Sequence, residues 1–362
     1  MKICFVLGTL QYSGAEKIVR YLINELQKDK YEISVILLSC EEKYDDLKGI
    51  SQIPLYKKDE EKGNKLIRVK KRIKRIRKVI QENHFDLVVS FGVKFNLDVA
   101  DAIKRTKTKL ILCERNDPSH DPKSILLRIR RKLIYNRADG FVFQTKKIQS
   151  FFSKEIQKKS IIIPNFIEKH PTNMETYNPI KKTFSTSARL DIRQKDQITL
   201  IKAFEMFNKI YPEYKLEIYG DGPDRKVLEE LVVKLNLKDK IIFYGRVDNP
   251  IEKIKNSEAF ILTSIYEGMP NSLMEAMSIG MPCISTKCGG GGPQQLIQDK
   301  ENGILVEIGN KQQIVDAMVK ICEDKSYAQN LGRNAYKINE QLNIGKIVES
   351  WKQYFKQVAM KN

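Results

Sequence analysis

Short apolar runs, each three to six residues and rich in β-branched or aromatic side chains, recur along this chain with helical stretches between them. Lys2–Leu7, Ile33–Leu38, Phe85–Ser90, Lys109–Cys113, Gly140–Phe143 and Ser160–Ile163 form one series. Phe184–Ala188, Leu216–Tyr219, Ile241–Tyr244, Ala259–Leu262, Pro282–Ser285 and Ile304–Val306 form a second. Amphipathic segments such as Ala15–Leu26 and Asn96–Arg105 separate them. Strand–helix alternation builds βαβ units and parallel sheets, so the fold class is α/β. With 362 residues the chain is long enough for two domains. Asn165–Lys182, with two prolines and little periodicity, reads as the linker. The expectation is two Rossmann-like domains facing across a cleft: residues 1–168, residues 183–340, and a final helix in 341–362 that packs back on the first. In such sheets ligands bind beyond the carboxyl ends of the strands, so the loops after strands should carry the chemistry.

Several classes are excluded. No apolar run approaches the roughly 18 residues of a membrane span. The opening MKICFVLGTL reads as a first strand and not as a signal peptide. Six cysteines, Cys4, Cys40, Cys113, Cys283, Cys288 and Cys322, lack C-x-x-C pairing and read as reduced thiols of a cytosolic protein. The histidines His84, His120 and His170 lack ligand spacing and no D-x-D occurs, so no metal is expected. Charge is the positive constraint. The formal net charge is +19, and residues 1–180 hold 37 basic against 22 acidic side chains. A basic half faces something anionic: nucleic acid, a membrane surface or a phosphorylated substrate.

Three strand-end loops stand out. Gly8–Glu16 follows the first strand, and Gly14 lets backbone amides approach an anion at a helix start. Arg189, and Lys195 before the next helix, place two cations after the strand Phe184–Ala188. Arg grips phosphate oxygens bidentately and Lys adds a point charge. The third loop reads Glu267-Gly268-Met269-Pro270-Asn271-Ser272-Leu273-Met274-Glu275, after the strand Ala259–Leu262. It opens a helix that Asn271 or Ser272 could cap. Amides at such a start receive phosphate, and the two glutamates can accept sugar hydroxyls.

This last string resembles the E-x7-E motif of the retaining nucleotide-sugar glycosyltransferases of family 4, which have the GT-B fold. Ser13-Gly14-Ala15-Glu16 is similar to that family's Gly-Gly-Ala-Glu loop, and Arg189 and Lys195 to its diphosphate-binding pair. Tyr219–Pro223, Tyr244–Val247, Gly292-Pro293 and Asn302-Gly303 resemble further landmarks, so the likeness covers nearly the whole chain. It implies Glu267, Arg189 and Lys195 as catalytic. It also implies Gly14, Gly268, Met269, Pro270, Asn271, Ser272 and Glu275 as donor-binding, with Glu275 on the ribose and Val247 near the base. The donor would be a nucleotide-sugar, uridine-linked more than guanosine-linked, with no cofactor required. The acceptor would be a polyprenyl-diphosphate-linked or growing surface glycan, with no nucleic acid as partner. Arg115 stands where many members carry a histidine, and with Asn116 is assigned to sugar or acceptor contact. Gln295 replaces a common glutamate, and Cys288–Gly292 is unusually rich in glycine.

Lys62–Lys78 holds ten Lys or Arg and no acid, while Leu66, Val69, Ile73, Ile76 and Ile80 recur at helical steps. That apolar face is expected to pack on the sheet. The outward cations Lys70, Lys71, Arg72, Lys74, Arg75, Arg77 and Lys78, with Arg128, Arg130 and Arg131, are assigned to an anionic membrane or the acceptor's diphosphate. The composite expectation is a retaining hexosyltransferase, cytoplasmic and peripheral on the inner face of the membrane. A soluble sugar-phosphate synthase or nucleotide-sugar epimerase of the same fold, or a nucleic-acid-binding protein, are the alternatives. Against the last, Lys62–Lys78 carries no stacking aromatics.

Overall fold

The computed structural model describes residues 1–8, 14–38, 47, 49–56, 64–104, 106–167, 179 and 181–360, with backbone only at 14–17, 65 and 94. Residues 9–13 of the first loop, residues 168–178 and 180 of the expected linker, Cys40, Lys62 and His170 lie outside this set. The chain divides into two compact units, Met1–Phe166 with Ile344–Asn362, and Ile167–Asn343.

The first unit is a sheet of seven strands, all parallel: β1 (Lys2–Leu7), β2 (Glu32–Leu37), β3 (Ser51–Pro54), β4 (Leu87–Phe91), β5 (Lys109–Glu114), β6 (Gly140–Phe143) and β7 (Ser160–Ile162). Their order is β3-β2-β1-β4-β5-β6-β7, so the winding reverses between β1 and β4. Successive residues of β1 feed opposite cores. Ile3, Phe5 and Leu7 join one buried cluster, Cys4 and Val6 the other. A strand buried on both faces reads as an unbroken apolar run, which is why the sequence displays it. The helix Ile344–Ala359 completes the first of these cores with Trp351, Tyr354 and Phe355. The Phe355 ring meets Phe5 edge-on, and Trp351 leans on Phe91. Tyr354 takes a hydrogen bond from the Phe141 amide at 2.9 Å. A Cβ at Gly140 would lie 2.6 Å from that tyrosine oxygen, so the helix requires glycine there.

The second unit holds six parallel strands: β8 (Thr183–Ser187), β9 (Lys215–Tyr219), β10 (Ile241–Gly245), β11 (Ala259–Leu262), β12 (Cys283–Thr286) and β13 (Ile304–Val306). The order β10-β9-β8-β11-β12-β13 places its reversal between β8 and β11. Here too the faces alternate: Ile261 and Ile284 enter one core, Phe260, Leu262 and Cys283 the other.

The helix Lys65–Asn83 starts at Asn64, whose side chain accepts from the Leu66 amide at 3.1 Å. Its expected apolar face packs only in the C-terminal part. Ile76 and Ile80 are buried and Ile73 is half-buried, whereas Leu66 stays 71% exposed. No helix among the described residues is long and apolar enough to cross a membrane.

Candidate functional site

The two loops that leave the reversal point of the second sheet meet. After β8 the chain makes a short turn, Ile192–Lys195, closed by Asp196 in the left-handed region at φ 47°. Asp196 then caps the helix Gln197–Ile210 by accepting from the Thr199 amide. After β11, Thr263 Oγ1 donates to the Lys195 carbonyl at 2.9 Å, and the Ile265 amide donates to the Gln194 carbonyl at 2.8 Å. This knitting aims Lys195 Nζ at Glu267 Oε1, with which it forms an ion pair. Ser264 Oγ holds the same carboxylate oxygen at 2.7 Å. The two charged side chains are only 15% and 9% exposed. A pair so placed is costly to break, because either partner alone leaves a charge out of water.

The glycine-rich segment supports this loop from beneath. The Glu267 amide donates to Gly289, and the Gly289 amide donates to Ile265. Backbone contact is so close that a Cβ on Gly292 would sit 2.0 Å from the Gly268 oxygen. Gly268, Met269 and Pro270 are buried, and the helix Asn271–Ser278 follows at once. The sequence offers Asn271 or Ser272 as its cap. The structure corrects this: Pro270 occupies the capping position, no side chain caps the start, and Asn271 and Ser272 already lie within the first turn. First-turn amides without a side-chain cap favour an anion. Glu275 lies half-buried one turn on, and Val247 packs, half-buried, against the cluster containing Met269 and Leu273. Arg189 is exposed, and its guanidinium makes no hydrogen bond or ion pair among the described residues. Gly14 begins the helix Gly14–Lys28.

In the first unit, Arg115 follows β5. Its guanidinium donates to Asn165 Oδ1, which also receives Gln144 Nε2 at 2.8 Å, and it lies over the Phe91 ring. Its Nε is buried without a partner among the described residues. Burial draws its pKa down to about 10. Asn116 turns back to accept from the Asp117 amide. His120, read as a plain loop residue, pairs with Asp117 at 2.9 Å. Burial raises the Asp117 carboxyl, but the hydrogen bonds from Ser119 and His120 outweigh it and hold the group below its usual range.

The basic residues fall into two sets. Arg72 and Arg130 share Asp98, and Arg130 and Arg137 share Asp101. Arg75 donates to the Leu55 carbonyl over the Tyr56 ring, and Arg77 to the carbonyls of Asp101 and Ala102. Arg128 donates to the Pro122 carbonyl. Arg131, 5% exposed, donates to the carbonyls of Pro118 and Asp121. Six arginines assigned to an outside anion therefore serve the fold, because acceptors distant in sequence reach them first. Lys70, Lys71, Lys74 and Lys78 remain exposed, Lys78 beside Glu82 at 3.6 Å. No group of acids, histidines or cysteines able to hold a metal ion occurs among the described residues.

Sequence reading missed Ser264, Thr263, Asn165, Asp98 and Asp101. Only the position of Thr263 and Ser264 at a strand end signals a role.

Two parallel, doubly wound sheets of this kind define the GT-B class of α/β enzymes. Residues 175–338 match the family described as Glycosyl transferases group 1, and residues 12–170 match Glycosyltransferase Family 4. An uncharacterized glycosyltransferase of Methanocaldococcus jannaschii is 30% identical over 337 residues, which cover 79% of this chain and 82% of that protein. The chain belongs to this glycosyltransferase family. A Campylobacter jejuni relative is 25% identical over 97% of each chain. Its name is GalNAc-alpha-(1->4)-GalNAc-alpha-(1->3)-diNAcBac-PP-undecaprenol alpha-1,4-N-acetyl-D-galactosaminyltransferase. Among solved structures, Anabaena HepE in complex with UDP and glucose matches with a TM-score of 0.81 at 19% identity, covering 99% of this chain and 100% of that one.

Proposed function

We propose that this enzyme moves a hexose or N-acetylhexosamine from a uridine diphosphate sugar to a glycan carried on a polyprenyl diphosphate, with retention at the anomeric carbon. The observation that carries the reading is the Lys195–Glu267 pair at the reversal point of the second sheet, beside a helix start without a side-chain cap. The solved UDP complex of HepE and the lipid-diphosphate acceptor in the Campylobacter relative's name support the choice of donor and acceptor.

In this reading Arg189, Lys195 and the amides of Met269 to Ser272 hold the diphosphate. Gly14 adds its amide there, Glu275 accepts the ribose hydroxyls, and Val247 lies by the base. Glu267 holds the donor sugar. The acceptor hydroxyl attacks the anomeric carbon on the face the diphosphate leaves. The sugar–phosphate bond breaks with its electron pair on the phosphate oxygen, which takes the hydroxyl's proton. No side-chain nucleophile is required, because preorganised donors stabilise the charge growing on the leaving group. Arg115, a half-buried cation in the first unit, faces the acceptor or the transferred sugar, with Asn116 beside it. The enzyme works on the inner face of the membrane, where such acceptors are exposed, and needs no metal.

Titration with UDP and GDP tests the site. UDP should raise the melting temperature more than GDP. Lys195→Ala should lower UDP affinity, and Glu267→Gln should keep it while cutting transfer by about 10²- to 10³-fold. Near-normal turnover in either variant would refute the assignment. Activity should persist in EDTA, and loss on chelation would overturn the metal-free scheme.

A further inference from the structure

The helix Ile125–Ile134 has two apolar faces, and the fold uses one. Ile134 is buried and Leu127 half-buried against the sheet, with Arg131 beneath them. On the opposite side Ile125, Leu126, Ile129 and Leu133 are 71%, 77%, 53% and 72% exposed. At the helical step these four side chains form one stripe about 100° wide. Packing does not need it, and a stripe of four large aliphatic side chains left in water marks a surface with a partner. Leu66 and Ile67, 71% and 50% exposed, are likewise left in water on the first turn of the helix Lys65–Asn83.

The helix Val93–Ala102 lies between these two, and its Asp98 and Asp101 tie Arg72 on one neighbour to Arg130 on the other. The three helices form one plate. Asp98 and Asp101 are spent on internal arginines and Glu82 stands beside Lys78, whereas Lys70, Lys71, Lys74, Lys123 and Lys132 are exposed. Neither Lys62–Lys78 nor Ile125–Ile134 contains an acidic residue. Aliphatic side chains rimmed by lysines suit the boundary between anionic head groups and acyl chains. The same rim opposes pairing with a second copy of this chain, since cation would face cation.

We infer that the outer stripe of Ile125–Ile134, flanked by these lysines, inserts into an anionic phospholipid surface and docks the enzyme there. The helix Ile125–Ile134 follows β5 and the loop that carries Arg115. The inference deepens the membrane-surface reading above by naming the element that inserts, and its test is independent of sugar transfer.

The chain carries one tryptophan, Trp351, 1% exposed, whose emission stays fixed in the background. In Ile129→Trp, a second emission should shift to the blue on adding phosphatidylglycerol–phosphatidylcholine vesicles, remain so at high salt, and be quenched by brominated acyl chains. Leu126→Glu with Ile129→Glu should lower vesicle partitioning by about tenfold or more, with melting temperature and UDP binding unchanged. Replacing Lys70, Lys71 and Lys74 by glutamate should weaken binding chiefly at low salt. Three results would each overturn the inference: an unquenched Ile129→Trp, equal vesicle binding by the double-glutamate variant, or a lipid-free dimer abolished by that variant. Intact insertion with no transfer of any sugar would instead remove the proposed reaction.

Discussion

Glu114 ends β5, wholly buried, with its carboxyl receiving the Tyr135 hydroxyl and, at 3.4 Å, the Asn96 amide. One carboxyl oxygen and the Asn96 carbonyl have no partner among the described residues. Burial pushes its pKa up to about 7, against the lowering effects of Tyr135, Arg131 and Asn96. An acid whose pKa is raised by folding stabilises the protein while protonated. That contribution is complete below the unfolded value of 4.5 and is lost as pH rises through about 7. The span corresponds to about 3 kcal/mol. Glu114→Gln keeps the acceptor for Tyr135 and cannot ionise. Urea melts should therefore show the wild type losing more stability than Glu114→Gln between mildly acidic and mildly alkaline pH. Parallel curves for the two proteins would show that Glu114 does not titrate in that window.

At the scale of elements, the Glu267 loop is a matter of backbone fit. Gly268 lies in the Glu267 loop and Gly292 starts the short helix Gly292–Leu296, and their contact leaves no room for a methyl group. Gly292→Ala must displace either the Glu267 loop or the helix start at Asn271. A shift of about 1 Å in such a loop costs about 10²-fold in rate. Transfer should fall by that order with the melting temperature little changed, and wild-type rates in Gly292→Ala would show that the contact does not align the site. Much of this element was legible in the sequence, because the string Glu267–Glu275 and the glycines around it are local. Its supports were not. Ser264 and Thr263 act through contacts across loops, and nothing local distinguishes them from other hydroxyls. The arginines show the same limit. Their charge is plain in the sequence, but Asp98 and Asp101, which engage Arg72, Arg130 and Arg137, lie 26 to 36 positions away. Among strands, those buried on both faces read as apolar runs. β3 went unseen because it is an edge strand of four residues, only half-buried at best, ending in proline.

Across the whole molecule, the chain returns to its first unit after completing the second, and the final helix is part of a core and not an appendage. Trp351, Phe355 and Val358 are all buried among residues of β1, β4, β5 and β6. The first unit is therefore incomplete until its helix Ile344–Ala359 has been made, whereas Ile167–Asn343 is continuous in sequence. Trp351 reports on the first unit by fluorescence, and UDP, in the proposed reading, reports on the second. Phe355→Ala removes a fully buried ring, a change that typically costs 3–5 kcal/mol. It should move the fluorescence-detected urea midpoint sharply downward. UDP affinity in the absence of urea should stay within about twofold of wild type, since no residue assigned to the nucleotide's base, ribose or diphosphate other than Gly14 lies in the first unit. A matching loss of UDP affinity would mean that the nucleotide depends on the first unit for more than the Gly14 amide, and the assignment of its binding to β8 and β11 would have to be redrawn.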